Sequence, residues 1–136
     1  MDFRCIHVVF AVVLCATSAY AIYPLMPSEE LLSIARCVGT SKNQTLCDDF
    51  MKCHSYLAKP YSDAFADCKK VHSPDGIGQC TEDKELYFSE EIRVKLDDCV
   101  RQTVTQDLNE EETAEMDKFQ ECFRSFAKKC PGGQDQ

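Results

Sequence analysis

The sequence predicts an all-α protein, a compact bundle of five or six short helices cross-braced by four disulfides. Three observations carry that expectation. The first is the cysteine set: of ten cysteines, Cys5 and Cys15 fall in an N-terminal segment with the features of a secretory leader, leaving Cys37, Cys47, Cys53, Cys68, Cys80, Cys99, Cys122 and Cys130. An even set of eight in an oxidising compartment reads as four bridges. Each bridge stabilises by about 2–4 kcal/mol, mainly by restricting the unfolded chain. The second is periodicity, since apolar residues recur at helical spacing in segment after segment and no stretch sustains the alternation of a half-buried strand. The third joins the two. Ile34, Phe50, Phe65, Leu96 and Phe119 each stand three residues before a cysteine, so each shares a helix face with a thiol and turns it inward.

The leader comes first in the chain. Arg4 supplies a short basic region, an apolar run extends from Ile6 to Leu14, and Ala19-Tyr20-Ala21 offers the small-x-small pattern of a signal-peptidase site, with cleavage expected after Ala21. The apolar run is shorter than the ~20 residues that span a bilayer, so no membrane anchor is expected and the protein is expected to be secreted and extracellular. Residues 22–131 then form a single disulfide-rich helical domain, and residues 132–136 a disordered tail.

Within that domain, Ser28 followed by Glu29 and Glu30 reads as a capped helix start, and Gly39 closes the segment. Leu46, Phe50, Cys53 and Leu57 define a second helix from about Gln44 to Ala58, stopped by Pro60. Cys47 and Cys53, six apart, point to nearly opposite faces and need different partners. The spacing leaves the full pairing open. Ser62 is the expected cap of a third helix running through Phe65 and Cys68 to Val71, and Ser73-Pro74-Asp75-Gly76 with Gly78 forms a turn-rich loop. One or two helical turns are expected around Thr81 to Leu86. Ser89 opens a better helix with Ile92, Leu96, Cys99 and Val100 on its inner face. Asn109 and Glu112 form a capping box for the last helix, which Met116, Phe119, Cys122, Phe123 and Phe126 stripe and Pro131-Gly132-Gly133 ends. The run Phe50-x-x-Cys53 with Leu57 is echoed by Phe119-x-x-Cys122 with Phe126. No other cysteine pair aligns at that offset, so the echo reads as two amphipathic helices under one rule and not as a duplication.

Composition narrows function more by exclusion. The chain carries a net charge of −8, and the leader would remove one acidic and one basic residue, Asp2 and Arg4, leaving that balance unchanged. Such acidity excludes nucleic acid as a partner and disfavours cationic attack on membranes. No catalytic constellation is present. His54 and His72 lie outside any metalloprotease or nucleophile-elbow motif and read as ordinary surface or helix-end histidines, and the phospholipase A2 signature C-C-x-x-H-D-x-C is missing. The protein is therefore expected not to be an enzyme and to need no cofactor. The thiols lack a C-x-x-C pair for zinc. Asp48-Asp49, Asp97-Asp98 and Glu110-Glu111-Glu112 lack a calcium-loop pattern and read as solvated helix faces, so no metal is expected. Asn43-Gln44-Thr45 is a glycosylation sequon.

The aromatic residues frame the positive expectation. Phe50, Phe65, Phe88, Phe119, Phe123 and Phe126, with Tyr87, could line an apolar cavity between helices, although a domain of this size needs such residues to fill its core. Two resemblances enter here. The chain is similar to arthropod odorant-binding proteins in its leader, length, acidity, helical content and Cys122-x7-Cys130 spacing, with Cys47-x5-Cys53 where they show C-x3-C. The stretch Leu86-Tyr87-Phe88-Ser89-Glu90-Glu91-Ile92 leading to Cys99 resembles microplusin-type antimicrobial proteins of arachnids, which implies a helical scaffold; the histidine-rich composition behind their copper binding is absent. The leading expectation is a secreted, monomeric, non-enzymatic binding protein that takes a small apolar ligand or an extracellular protein. The alternative is a venom, salivary or defence effector acting on a protein target, and a third reading is a structural or storage role.

Overall fold

In the computed structural model, which describes residues 22–130, five α-helices and one 3₁₀ segment follow in order. They are α1 (Ser28–Gly39), α2 (Gln44–Met51), the 3₁₀ segment (Lys52–Tyr56), α3 (Lys59–His72), α4 (Glu90–Thr103) and α5 (Glu110–Ser125). Among the described residues the β content is one isolated antiparallel bridge between Gly78 and Leu86. The predicted leader, its cleavage site and the 132–136 tail lie outside the described residues.

Local chemistry explains most boundaries and corrects several. The cap of α1 is Pro27, whose carbonyl accepts from Leu31 N at 3.0 Å; Ser28 is already inside the helix and is not the cap. Gly39 ends α1 for a packing reason. Leu86 Cβ lies 3.1 Å from where a Gly39 Cβ would stand, and Leu86 N donates to Gly39 O. Asn43 caps α2 through Leu46 N, but the helix tightens to 3₁₀ after Met51 and the chain leaves it at Leu57, short of the expected Ala58. Pro60, expected to stop that helix, instead sits in the first turn of α3, where its missing N–H has no intrahelical acceptor to lose and its fixed φ suits the start. Ala58 is the cap and Ser62 lies within the helix. Ser89 caps α4 through Ile92 N, and the Asn109–Glu112 capping box of α5 is complete in both directions.

The expected turns of helix at residues 81–86 do not form. That backbone is spent on longer-range bonds, Leu86 N to Gly39 O and Tyr87 N to Ile77 O, which pull the segment across the bundle.

Four disulfides brace these elements: Cys37–Cys130, Cys47–Cys80, Cys53–Cys122 and Cys68–Cys99. They follow the packing. α3 lies along α4 beneath Cys68–Cys99, and α5 lies against the 3₁₀ segment beneath Cys53–Cys122. Cys47 and Cys53 take different partners, as their opposed faces require. The two look-alike stretches, Phe50-x-x-Cys53 and Phe119-x-x-Cys122, prove to be the two sides of one bridge. Val38, Phe50, Met116, Phe119 and Phe123 fill the core between them.

A strap ahead of α1, residues 22–27, is sealed to the far end of the chain by buried polar bonds. Tyr23 Oη donates to Asp117 Oδ1 at 2.7 Å and accepts from Gln120 Nε2 at 2.6 Å, while Met26 N donates to Gln120 Oε1. Arg101 Nη2 donates to Met26 O at 2.7 Å, and its Nε is shared between both Asp97 oxygens. Burial, with the Asp117 carboxylate beside it, pushes the Tyr23 phenol well above its ordinary pKa.

Candidate functional site

Two regions gather the chemistry-bearing residues. The first is a surface knuckle made by residues 73–89. Ser73 Oγ donates to Gly76 O and Gly76 N returns to Ser73 O, folding the tip, with Gly76 at φ 111°. Gly78, at φ 73°, cannot be replaced without conflict, because a Cβ there would lie 2.6 Å from Glu85 O. Cys80 is bridged to Cys47, and its N–H donates to Gln44 Oε1 at 2.8 Å. From the other side, Arg93 Nη1 donates to Leu86 O at 2.7 Å and pairs with Glu85 at 2.9 Å.

So held, the chain takes two consecutive aromatic residues into the left-handed region, Tyr87 at φ 56° and Phe88 at φ 71°. Bulky side chains are seldom found there, and such a conformation costs on the order of 1–3 kcal/mol per residue. The reversal sends neighbouring side chains opposite ways. Tyr87 is buried, whereas Phe88 is 45% exposed and Ile77, whose carbonyl holds Tyr87 N, is 39% exposed. Beside Phe88 lies a shallow recess of about 280 Å³ walled by Lys42 and the 81–85 turn, with Lys42 paired to Glu82 at 3.4 Å.

The second region is an aromatic heart around His54. Its imidazole stacks on Phe65 at 4.9 Å and meets Phe50, Phe119 and Phe123 edge-on. Phe50 and Phe123 are 4.4 Å apart. Nδ1 lies 3.2 Å from Met51 O. Loss of hydration brings the His54 pKa down to about 4, against the Met51 hydrogen bond, with the Lys69 charge adding slightly. The imidazole is therefore neutral at physiological pH, and His54, at the helix end as expected, is half-buried among aromatic rings and not a surface group.

Two small adjoining cavities share His54, Phe65, Leu96 and Phe123 as lining. One of about 80 Å³ reaches toward Leu25, Tyr61 and Met116; the other, of about 60 Å³, toward Ala35, Tyr87 and Arg93. Of the aromatic residues expected to surround a cavity, Phe65, Phe119 and Phe123 line the first, and Phe50 joins Phe65 and Phe123 at the second. Phe126 is buried behind Phe50 at 5.4 Å, beneath the Lys129 ammonium. Phe88 belongs to the knuckle.

Two buried polar residues, Arg93 and Gln120, escaped the sequence reading, and a third, Asp97, expected on a solvated helix face, is instead buried and paired with Arg101. Arg93 and Asp97 had a visible signal, since they fall in register with Leu96 and Val100 on the inner side of α4. Gln120 had the same signal, four residues after Met116 and three before Phe123 on the inner stripe of α5. Asn43, the sequon residue, is exposed; its Oδ1 serves the cap of α2, leaving Nδ2, the atom a sugar would occupy, outside that bond. His72 ends α3 beside a polar recess with Lys95, Asp98 and Thr103. Among the described residues no helix is long and apolar enough to cross a membrane.

No curated protein and no solved structure matches the chain. A family model does match, over residues 25–131, a span that holds every described helix and all four disulfides. The family is the Hi1a-like one, described as U10-hexatoxin-Hi1a, which supports a small cysteine-rich toxin-like protein and not specifically an odorant-binding or microplusin-type one. The chain, a small cysteine-rich protein of five helices and four bridges, belongs to the Hi1a-like family of spider venom toxins.

Proposed function

We infer that the protein is a secreted venom component that acts as a monomer, without catalysis, by binding an extracellular protein through the 73–89 knuckle. The observation that supports this reading best is the exposed Phe88 beside Ile77 on a backbone fixed by a disulfide, a buried arginine and two glycines. Aromatic side chains anchor most protein interfaces, and a loop already rigid before contact loses little entropy on docking. The net charge of −8 favours a target with a basic surface and a fast electrostatic encounter.

A non-enzymatic mode is favoured by the chemistry at hand. All eight cysteines of residues 22–130 are bridged, His54 is enclosed by aromatic rings, and the recess at His72 offers no serine or free thiol as a nucleophile. Carriage of a fatty or terpenoid ligand is disfavoured by size: cavities of about 80 and 60 Å³ fall well below the ~300 Å³ at which pockets for drug-sized ligands begin.

The test uses the oxidised 22–136 chain, fluorescently labelled, on membranes from tissue that the venom affects. Saturable binding that disappears when the membranes are treated with protease, and weakens at least tenfold for Phe88→Ala with an unchanged circular dichroism spectrum, supports the reading. Binding that survives protease treatment, or that ignores the Phe88 substitution, removes it.

A further inference from the structure

Neither the knuckle nor the aromatic heart uses the sequon Asn43-Gln44-Thr45, and the fold leaves it open to modification. Lys42, in the left-handed region at φ 59°, turns the chain from α1 into α2, and Asn43, Gln44 and Thr45 after it are all exposed. The two ends of the Asn43 amide have separate duties. Oδ1 accepts from Leu46 N at 3.1 Å and caps α2, while Nδ2 takes no part in the cap. Gln44, the middle residue, is folded away: its Nε2 donates to Asp48 Oδ1 at 2.8 Å and its Oε1 accepts from Cys80 N at 2.8 Å. Asn43 Nδ2 and the Thr45 hydroxyl, the two groups that define the sequon, are thus left on the surface with no bond among the described residues. Asn109, the chain's other asparagine, makes the same kind of cap, on Glu112 N at 2.8 Å, but stands two residues before Glu111, which has no hydroxyl.

We propose that Asn43 is an N-glycosylation site, used in the secretory pathway before α2 and the Cys47–Cys80 bridge close. The proposal rests on the secreted reading above. In the transfer, Asn43 Nδ2 gives up one proton and bonds to the anomeric carbon of an oligosaccharide, whose bond to a lipid pyrophosphate breaks; the lipid pyrophosphate leaves with the electron pair. The order of events follows from the geometry. An enzyme that engages the Asn43 amide and Thr45 together needs the segment free of helix, whereas in the folded chain Gln44 and Thr45 form the first turn of α2 and Cys47, two residues further on, is buried and bridged. Once attached, the sugar fits the finished fold. The linked amide keeps its carbonyl, so Oδ1 still caps Leu46 N, and the bulky, solvated glycan extends from an exposed position.

The experiment expresses the full 1–136 chain in an arthropod cell line and reads the intact mass of the secreted protein before and after an amidase that removes N-linked sugar and leaves aspartate behind. The expected result is a mass above that of the oxidised polypeptide, lost on amidase treatment, with peptide mapping placing the new aspartate at 43 and leaving Asn109 unchanged. Asn43→Asp, which keeps an oxygen for the cap, and Thr45→Ala, which leaves Asn43 in place, are each expected to lose the glycan completely and keep the unreduced mass of four bridges. For the order of events, the sugar-free 22–136 chain is offered to microsomal membranes charged with the lipid-linked donor. The reduced chain is expected to take up sugar and the folded, oxidised chain none. The site is overturned if the secreted protein carries no mass that the amidase removes, or if the sugar persists in Asn43→Asp; the order is overturned if the folded chain accepts sugar as well as the reduced one. A chain retained in the cytosol with its leader attached would instead overturn the secreted reading beneath the proposal.

Discussion

The aromatic heart around His54 and the knuckle at residues 73–89 are joined through Arg93 and Leu86, yet they are held by opposite means. The heart is held redundantly: Phe50, Phe119 and Phe123 interlock at centroid distances of 4.4 and 5.2 Å, and the Cys53–Cys122 bridge crosses beside them. Every group there occupies a comfortable helical conformation. The knuckle has little apolar filling of its own and is forced into shape from outside by Cys47–Cys80, by Arg93 on Leu86 O and by Tyr87 N on Ile77 O. Its backbone is correspondingly strained. The difference suggests a division of labour in which the core provides stability and the strained surface presents Phe88.

Substitutions separate the two regions by size of effect. Phe123→Ala is expected to cost the most, about 3–5 kcal/mol, because it opens a void that joins both existing cavities. Urea denaturation should show it as a lower midpoint with little change in slope. If the loss is under ~1 kcal/mol, the heart is looser than its ring distances imply.

Acid gives the next largest effect. Unfolded His54 takes its proton near the ordinary value of 6.5 and folded His54 only at about 4. Between these values the unfolded chain binds more protons, so stability falls as pH drops through this window, by at most about 3 kcal/mol, and is fully regained above it. The groups around the ring do not offset this, since Lys69 opposes protonation and Asp97, on the same cavity wall, is engaged by Arg101. Melting temperatures measured at pH 4, 5, 6 and 7 should show the step, and His54→Phe should abolish it.

Gly78→Val is expected to cost about 1–3 kcal/mol through its positive φ and its encounter with Glu85 O. The damage should be local, visible as faster hydrogen exchange at the Tyr87 amide with the α5 amides unaffected. Global loss would mean that the knuckle carries the fold. The smallest effect belongs to Phe88→Gly. Removing the side chain forfeits little burial and relieves a left-handed aromatic, so thermal stability should hold or rise by up to about 1 kcal/mol while target binding declines.

The heart was legible in the sequence because helices repeat. Phe50, Phe65 and Phe119 stand three residues before Cys53, Cys68 and Cys122, and that spacing alone placed rings and sulfurs on one interior face. The knuckle was not, because its order is non-local. Nothing in Glu85-Leu86-Tyr87-Phe88 announces that Leu86 N will find Gly39 O, or that Tyr87 will turn left-handed. Local pattern there suggested a weak helix. Gly39 ends α1 as expected, but the close approach of Leu86 that its missing side chain admits is equally non-local. Arg93 and Asp97 show a third limit, since charge on an inner register was passed over at Arg93 and taken for a solvated face at Asp97.

The strap at residues 22–27 bears on how the chain matures. Tyr23 and Met26 find their partners in Asp117 and Gln120, 94 positions further on, and Cys37 finds Cys130 across 93. Cys47–Cys80 and Cys68–Cys99 span only 33 and 31 residues. A nascent chain emerging from the ribosome therefore has both halves of the short-range bridges available long before its last helix exists. The strap and Cys37 must wait for Asp117, Gln120 and Cys130 to be made, so this seal forms after the short-range bridges can. Until that closure Cys37 has no native partner, and its thiol is a handle by which an oxidoreductase can hold back an unfinished chain.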